Sequence, residues 1–386
     1  MATKRAVYLC ERNLMINFAI ESGRKKVSFM KILVTGAAGF IGASVADKLL
    51  DEGNDVIGVD NINDYYDPKL KKSRLQLLGI DADKINWLEP EKSKTKKGFT
   101  FIRLNLDDKE AVEKLFQDYD FEIVVHLAAQ PGVRYSISHP AAYIESNITA
   151  FLNILEGCRL HHIRHLVFAS SSSVYGLNGK VPFSEKDGIS HPVSLYAATK
   201  KSNELMAHVY SHLYGLPVTG LRFFTVYGPW GRPDMSPFLF IDGIMKGKPI
   251  KVFNNGDMLR DFTFIDDIVE GVVRITKIIP EPDLAWNPEE ADPSSSSTPY
   301  RIYNIGNQNP TRLLDYISAI EKAIGKEAVK EMHPMQPGDV YQTYADSSAL
   351  AAATGFTPST PLQTGIEKTV NWYKDYYGIT CDNLSE

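Results

Sequence analysis

A β-rich apolar run, Lys31-Ile-Leu-Val-Thr35, passes directly into Gly36-Ala-Ala-Gly39-Phe40-Ile41-Gly42 and then into an apolar helical pattern reaching Leu50. Strand, glycine turn and helix in that order constrain the fold more than anything else in the chain. Gly36 permits the tight turn, Gly39 lets the backbone approach a pyrophosphate, and Gly42 allows the helix to pack closely on the strand. The helix N-terminus, with Phe40 and Ile41 in its first turn, then offers unpaired amides to phosphate. The bland alternative is a tight turn that binds nothing. Against it stands the next strand, Asp55-Val-Ile-Gly-Val-Asp60, which ends in an acid. A carboxylate there accepts hydrogen bonds from an adenosine ribose and repels a 2′-phosphate, which favours NAD over NADP. Asn61 beside it does not reverse that preference.

The rest of the first half alternates in the same way. An insertion, 62–98, carries a YYDP turn and a helical pattern over Leu70–Leu78, and is expected to decorate the sheet without extending it. A strand over Phe99–Leu106, a helix near Lys109–Gln117 and a strand over Ile123–Leu127 complete a βαβαβ order, the signature of a doubly wound, Rossmann-type parallel sheet. Leu127, Ala128 and Ala129 follow His126 at a strand end, where small residues leave room for a cofactor to cross the crevice. His126 itself is expected to pack in the sheet. A helical pattern over Tyr143–Leu160 contains Asn147. Beyond Phe224 the strands shorten and Pro- and Gly-rich turns multiply, which reads as a smaller, irregular C-terminal lobe. The expected division is 1–29 as an extension, 30–225 as the NAD-binding domain, and 226–386 mainly as a substrate lobe, with some chain returning to the first domain. The acidic, serine-containing stretch Pro280–Pro299 reads as a mobile surface loop.

Composition closes several routes. With 42 Lys and Arg against 47 Asp and Glu, the chain has no basic excess that would point to nucleic acid. No apolar run approaches the roughly 18 residues a membrane span needs. Cys10, Cys158 and Cys381 are far apart and have no metal-ligand spacing, so neither a disulfide framework nor a metal site is expected, and a reducing cytoplasm fits best.

Chemistry concentrates in Val167–Lys200. A short buried strand ends in four serines, Ser170–Ser173, and Tyr196-Ala-Ala-Thr-Lys200 opens an amphipathic helix. Residues i and i+4 share a helix face, so the Lys200 ammonium is expected beneath the Tyr196 phenol, favouring its ionised form. A free phenol titrates near ~10 and is a poor base at neutral pH without such help. A Tyr-x-x-x-Lys spacing alone occurs in many helices as a half-buried Tyr and a solvated Lys; the serine-rich strand end and the glycine turn give it weight here.

Taken together, these motifs resemble the extended short-chain dehydrogenase/reductase superfamily, specifically its nucleotide-sugar epimerases, over roughly Lys31–Lys374. The strings GVRYS (Gly132–Ser136), RFFTVYGPWGRPDM (Arg222–Met235) and RDFTFIDD (Arg260–Asp267) are similar to the UDP-glucuronate 4-epimerase family. The resemblance implies NAD-dependent C4 epimerisation of UDP-glucuronate to UDP-galacturonate, with Tyr196 as base, Lys200 supporting it, and Ser171 sharing the substrate proton, Ser173 being the alternative. It implies cofactor contacts from the glycine turn, Asp60, Asn61, Asn105, Leu106, Leu127–Ala129, Asn147 and Phe223, and a homodimer paired through two helices.

For the UDP-sugar it implies Arg260 on the diphosphate, with Asp339 on the ribose and Gln336 beside it. Ser172, Thr225, Arg134 and Arg232 are left as donors for the sugar carboxylate, though Arg232 serves equally well for phosphate. Related dehydratases and decarboxylases carry acids where this chain has Ser172 and Ser173, which favours plain epimerisation. Asn105 stands where the family often has an Asp toward the adenine amine. The rival readings are a 4-epimerase of a neutral UDP-hexose and a non-catalytic NAD-binding regulatory protein.

Overall fold

The computed structural model describes residues 30–336 and 339–379; the expected 1–29 extension lies outside them. Its strands in chain order are β1 (Lys31–Thr35), β2 (Asp55–Asp60), β3 (Pro90–Lys92), β4 (Phe99–Arg103), β5 (Ile123–His126), β6 (His165–Ser171), β7 (Val218–Phe223), β8 (Thr225–Tyr227), β9 (Ile250–Val252), β10 (Leu259–Phe264), β11 (Tyr300–Ile305), β12 (Pro310–Arg312) and β13 (Lys330–Met332). Eight of them form one sheet in the order β11-β7-β6-β5-β1-β2-β4-β3. β1 is apolar and buried along nearly its whole length, because helices cover both faces of a parallel sheet. It pairs in parallel with β2 on one side and β5 on the other. The strand order therefore reverses at β1, and the crevice at the carboxyl ends of β1 and β5 is where such a sheet binds ligands.

The doubly wound α/β sheet agrees with the expectation, with two corrections at its margins. The 62–98 insertion does extend the sheet: β3 adds an antiparallel edge strand to β4. The Pro280–Pro299 stretch is largely exposed, but its end is held against the body of the protein. Ser295 and Ser296 are buried, His208 bonds the Ser296 hydroxyl at 2.9 Å, and Ser211 donates to Thr298 at 3.1 Å. Polar composition hid that Ser296 and Thr298 bond the helix Leu195–Tyr214 just before the chain enters β11 on the sheet edge, while Ser294 and Ser295 bond Asp292 and Asp283 of the stretch itself.

Beneath the sheet, Phe116, Phe151, Ile154, Phe168 and Ile302 belong to one buried cluster that seats the helices Lys109–Asp118 and Ala150–Leu160. The segment before Ala150 is wound as a π-helical turn, Ile144–Thr149. A second sheet, β12-β10-β8, carries the Arg260 strand.

Candidate active site

A cavity of about 370 Å³ opens at the β1/β5 switch point. Gly36 adopts φ +72°, and a Cβ there would lie 2.9 Å from the Ala128 amide; at Gly42 a Cβ would lie 2.0 Å from the Gly36 carbonyl oxygen. Any side chain at either position would fill the cradle or force the helix off the turn. Phe40, Ile41, Leu106, Leu127, Ala128, Ala129 and Phe223 line the same space.

The Asp60 carboxylate is oriented by the Ile62 amide at 2.7 Å and the Ala38 amide at 3.3 Å, which leaves lone pairs for a ligand hydroxyl. The Lys71 ammonium sits 3.8 Å from it and donates to Asn63 at 2.6 Å. Burial lowers the Lys71 pKa, with Asp60 acting against that. Asn61 lines the cavity, although its side-chain oxygen accepts from the Asn63 amide. A glycine cradle at a helix N-terminus, a set of small residues and an oriented acid fit a dinucleotide.

The other end of the cavity holds the reactive groups. Ser194 caps the helix Leu195–Tyr214 by accepting from the Ala197 amide at 3.1 Å, which turns Tyr196 and Lys200 of the first turns toward β6. Ser170, Ser171, Ser172, Ser173, Tyr196 and Lys200 all reach the cavity. β6 ends at Ser171, whose hydroxyl donates to Ser173 at 3.2 Å across the turn that follows. Ser170 faces inward and donates to Glu204 at 2.6 Å. Glu204 is paired with Arg222 of β7 through two bonds of 2.9 Å, both side chains fully buried.

Burial raises the Tyr196 pKa, with the neighbouring Ser171 hydroxyl and the charge of Arg232 acting against it. The Lys200 ammonium donates to the Ala169 carbonyl at 2.8 Å, and burial lowers its pKa to about 8. His126 is a packing residue: buried, held neutral by desolvation with a pKa of about 3, and bonded to Thr35 at 2.9 Å.

Three further placements correct the sequence reading. Asn147 does not line the cavity; its amide bonds the Gln130 backbone and the Thr199 hydroxyl, tying the π-helical turn to the Tyr196 helix. Asn105 points to solvent outside the cavity, since its neighbours Leu104 and Leu106 take the inward positions. Arg134 lies away from Ser172 and Arg232, stacked over Phe253 at 5.0 Å and 4.0 Å from Asp339. That second cluster is built on Arg260, which donates to Asp339 at 2.8 Å and to the Val340 carbonyl at 2.6 Å. Gln336 lies just before this cluster, and its carbonyl accepts from the Asp339 amide at 3.2 Å.

Arg232 and Thr225 line the cavity beside the serines. Arg232 is clamped by Asp234, with Nε 3.0 Å from one carboxylate oxygen and Nη2 on the other. Burial works against the charge of Asp234, and the Arg232 pairing overrides it, so the carboxyl lies below the usual range. Sequence reasoning missed Asp234, and also Tyr65, Lys71 and Arg74 of the insertion. The signal for the last three was a YYDP turn followed by basic residues within a helix that faces the glycine turn. Among the described residues there is no metal-binding cluster and no helix long and apolar enough to cross a membrane.

Fold and site together define a nucleotide-binding α/β protein whose switch-point cavity is lined by Tyr196, the β6-end serines and Lys200, and residues 32–306 match the model of the NAD dependent epimerase/dehydratase family. The chain belongs to that family. It is 55% identical over 91% of its length to the whole of an uncharacterised 37.6 kDa protein of Escherichia coli O111:H-. It is 44% identical over 90% of its length to a probable UDP-glucuronate 4-epimerase of Rhizobium meliloti, of which it covers 98%. Among solved structures it is similar to UDP-glucuronic acid 4-epimerase from Bacillus cereus in complex with UDP-glucuronic acid and NAD, with TM-score 0.76 and 33% identity over 90% of this chain and 100% of that one.

Proposed function

We propose that this protein is an NAD-dependent 4-epimerase that converts UDP-glucuronate to UDP-galacturonate through a transient 4-keto sugar. The observation that carries the reading is the distribution of acids around the cavity. Among the described residues the carboxylates lining it are Asp60 and Asp107, both at the glycine-turn end, while Ser171, Ser172, Ser173, Thr225 and Arg232 surround Tyr196. With no acid beside the phenol there is no second base for C5 and no proton donor to assist loss of CO₂. One proton acceptor and a set of neutral and cationic donors suit oxidation and re-reduction at C4 beside a bound carboxylate.

Bound NAD supplies a hydride acceptor and donor at the sugar's C4. The glycine turn would hold its pyrophosphate, and Asp60, with Lys71 and Asn61 beside it, its adenosine ribose. Tyr196 takes the O4 proton with Ser171 and Ser173 sharing it, and returns it when the ketone is reduced from its other face, so the net reaction consumes neither protons nor electrons. Lys200 uses one of three N–H donors on Ala169 and has two left for the nicotinamide ribose. Arg260 and Arg134 serve the diphosphate, with Asp339 and Gln336 at the uridine ribose. Thr225, Ser172 and Arg232 take the C6 carboxylate. In this reading 30–225 is the NAD-binding domain and 226–386 mainly the sugar-nucleotide lobe.

Exposed Leu205, Val209 and Leu213, at i, i+4 and i+8 on the Tyr196 helix, and Leu152 and Leu160 on the helix before β6 support a homodimer through these two helices. Widely spaced cysteines, with Cys158 buried and free, support a cytoplasmic setting. Incubating the purified protein with UDP-glucuronate, and separately with UDP-glucose, and identifying products by NMR tests the function. UDP-galacturonate is expected from the first. A product from UDP-glucose alone replaces this reading with the neutral-sugar one, and no product from either leaves the regulatory one.

A further inference from the structure

Arg232 does not hold itself in place. It lies in a turn between β8 and the helix Ser236–Met245, and its position is fixed by Asp234 of the same turn and by two residues of the insertion that hold that turn. Asp234 binds its Nε and Nη2 side. Tyr65, which is 169 residues away in sequence, donates its hydroxyl to the Asp234 oxygen at 3.1 Å. Arg74, fully buried, spans the interval between the two halves of the cavity: it donates to the Trp230 and Gly231 carbonyls just before Arg232, at 2.6 and 3.3 Å, and to the Ala38 carbonyl of the glycine turn at 3.1 Å.

A guanidinium has five N–H donors in a rigid fork. Asp234 uses two of them from one edge, so the remaining three have a defined direction. The pairing also cancels most of the charge of Arg232, so the turn grips an anion by the geometry of its donors more than by net charge. Burial raises the Tyr65 hydroxyl to a pKa of about 12, so it stays a donor throughout the working range.

We propose that Tyr65, Asp234 and Arg74 are positioning residues for substrate specificity: they aim Arg232 at the sugar carboxylate. This rests on the reading of Arg232 as a carboxylate ligand. It makes the insertion after β2 part of the sugar site as well as the cofactor site. Its chemical consequence concerns the 4-keto uronate, a β-keto acid. If the carboxylate slips into alignment with the ketone, the C5–C6 bond breaks and CO₂ leaves. The bonding pair enters the C5–C4–O4 enolate, and a proton at C5 then yields a 4-keto pentose. A well-aimed Arg232 holds the carboxylate out of that alignment.

The test uses Tyr65→Phe, which keeps the ring packed on Tyr135 and removes one hydroxyl. The expected result is a KM for UDP-glucuronate raised about tenfold with kcat changed little, a larger share of turnovers releasing CO₂, and unchanged calorimetric affinity for UDP alone. Tyr65 also lines the cavity, so a direct contact with sugar must be separated from action through Arg232. A double-mutant cycle with Arg232→Met does this: a positioning role predicts that Tyr65→Phe adds nothing in that background. Asp234→Asn should match Tyr65→Phe in releasing CO₂.

A Tyr65→Phe enzyme with wild-type KM and CO₂ release overturns the inference, and so does a full additive loss in the Arg232→Met background. Failure of the wild-type protein to form UDP-galacturonate overturns the proposed function instead, so the two failures are distinguishable.

Discussion

The Lys200 ammonium donates to the carbonyl oxygen of Ala169 at 2.8 Å, although Tyr196 stands one helical turn before it. The contact crosses from the helix to the last residues of β6, and so joins the Tyr196 helix to the serine strand end. It also holds a cation in a buried position, and burial brings the Lys200 pKa from 10.5 to about 8. Its consequences can be measured without substrate.

In the cofactor-free protein, the cost of burying charged Lys200 is fully present below pH 8, where both folded and unfolded states hold the proton. Between about 8 and 10.5 the folded state has lost it and the unfolded state has not, so stability rises with pH through that window. A shift of this size is worth about 3 kcal/mol. Lys200→Met should therefore be more stable than wild type at pH 7, and the gap should close by pH 10. Urea unfolding of both proteins at the two pH values checks this, and a gap that widens with pH refutes it.

Tyr196→Phe keeps the ring against Tyr143, with centroids 6.1 Å apart, and removes the proton acceptor. Turnover should fall by roughly 10²–10⁴ with folding and bound NAD nearly unchanged. Product assays on the variant, alongside cofactor content from its absorbance spectrum, decide the matter. Full activity would remove Tyr196 from the chemistry.

Asp60→Ala should relax the preference for NAD over NADP. The substitution removes the charge that repels a 2′-phosphate and leaves the Lys71 ammonium, 3.8 Å from the lost carboxylate, to attract one. Titration of the stripped protein with each cofactor should show NADP affinity rising as NAD affinity falls. A variant that still excludes NADP would mean that another group reads the ribose.

Leu205→Glu with Leu213→Glu should convert a dimer to monomers, because the two side chains stand exposed on one face of the Tyr196 helix. Light scattering would report the mass. Unchanged mass in the double variant, or a monomeric wild type, would rule out this surface as the interface.

What the sequence determined by itself was local. A strand that meets a glycine turn, an acid at the next strand end and a tyrosine one helical turn before a lysine are each set by residues within a few positions, since turn geometry and helix spacing depend only on neighbours. Those features led correctly to the doubly wound sheet, whose switch point opens into the cavity.

The tertiary structure alone decided which groups face one another across long sequence distances. Tyr65 with Asp234, Arg74 between the glycine turn and Trp230, and Lys200 with Ala169 all depend on how layers are stacked, which no spacing encodes. Arg134 and Asn147 were misplaced for the same reason. Arg134 follows a turn that sends it to Asp339, and Asn147 sits in a π-helical turn whose wider winding directs its amide to Gln130 and Thr199 in place of the cavity.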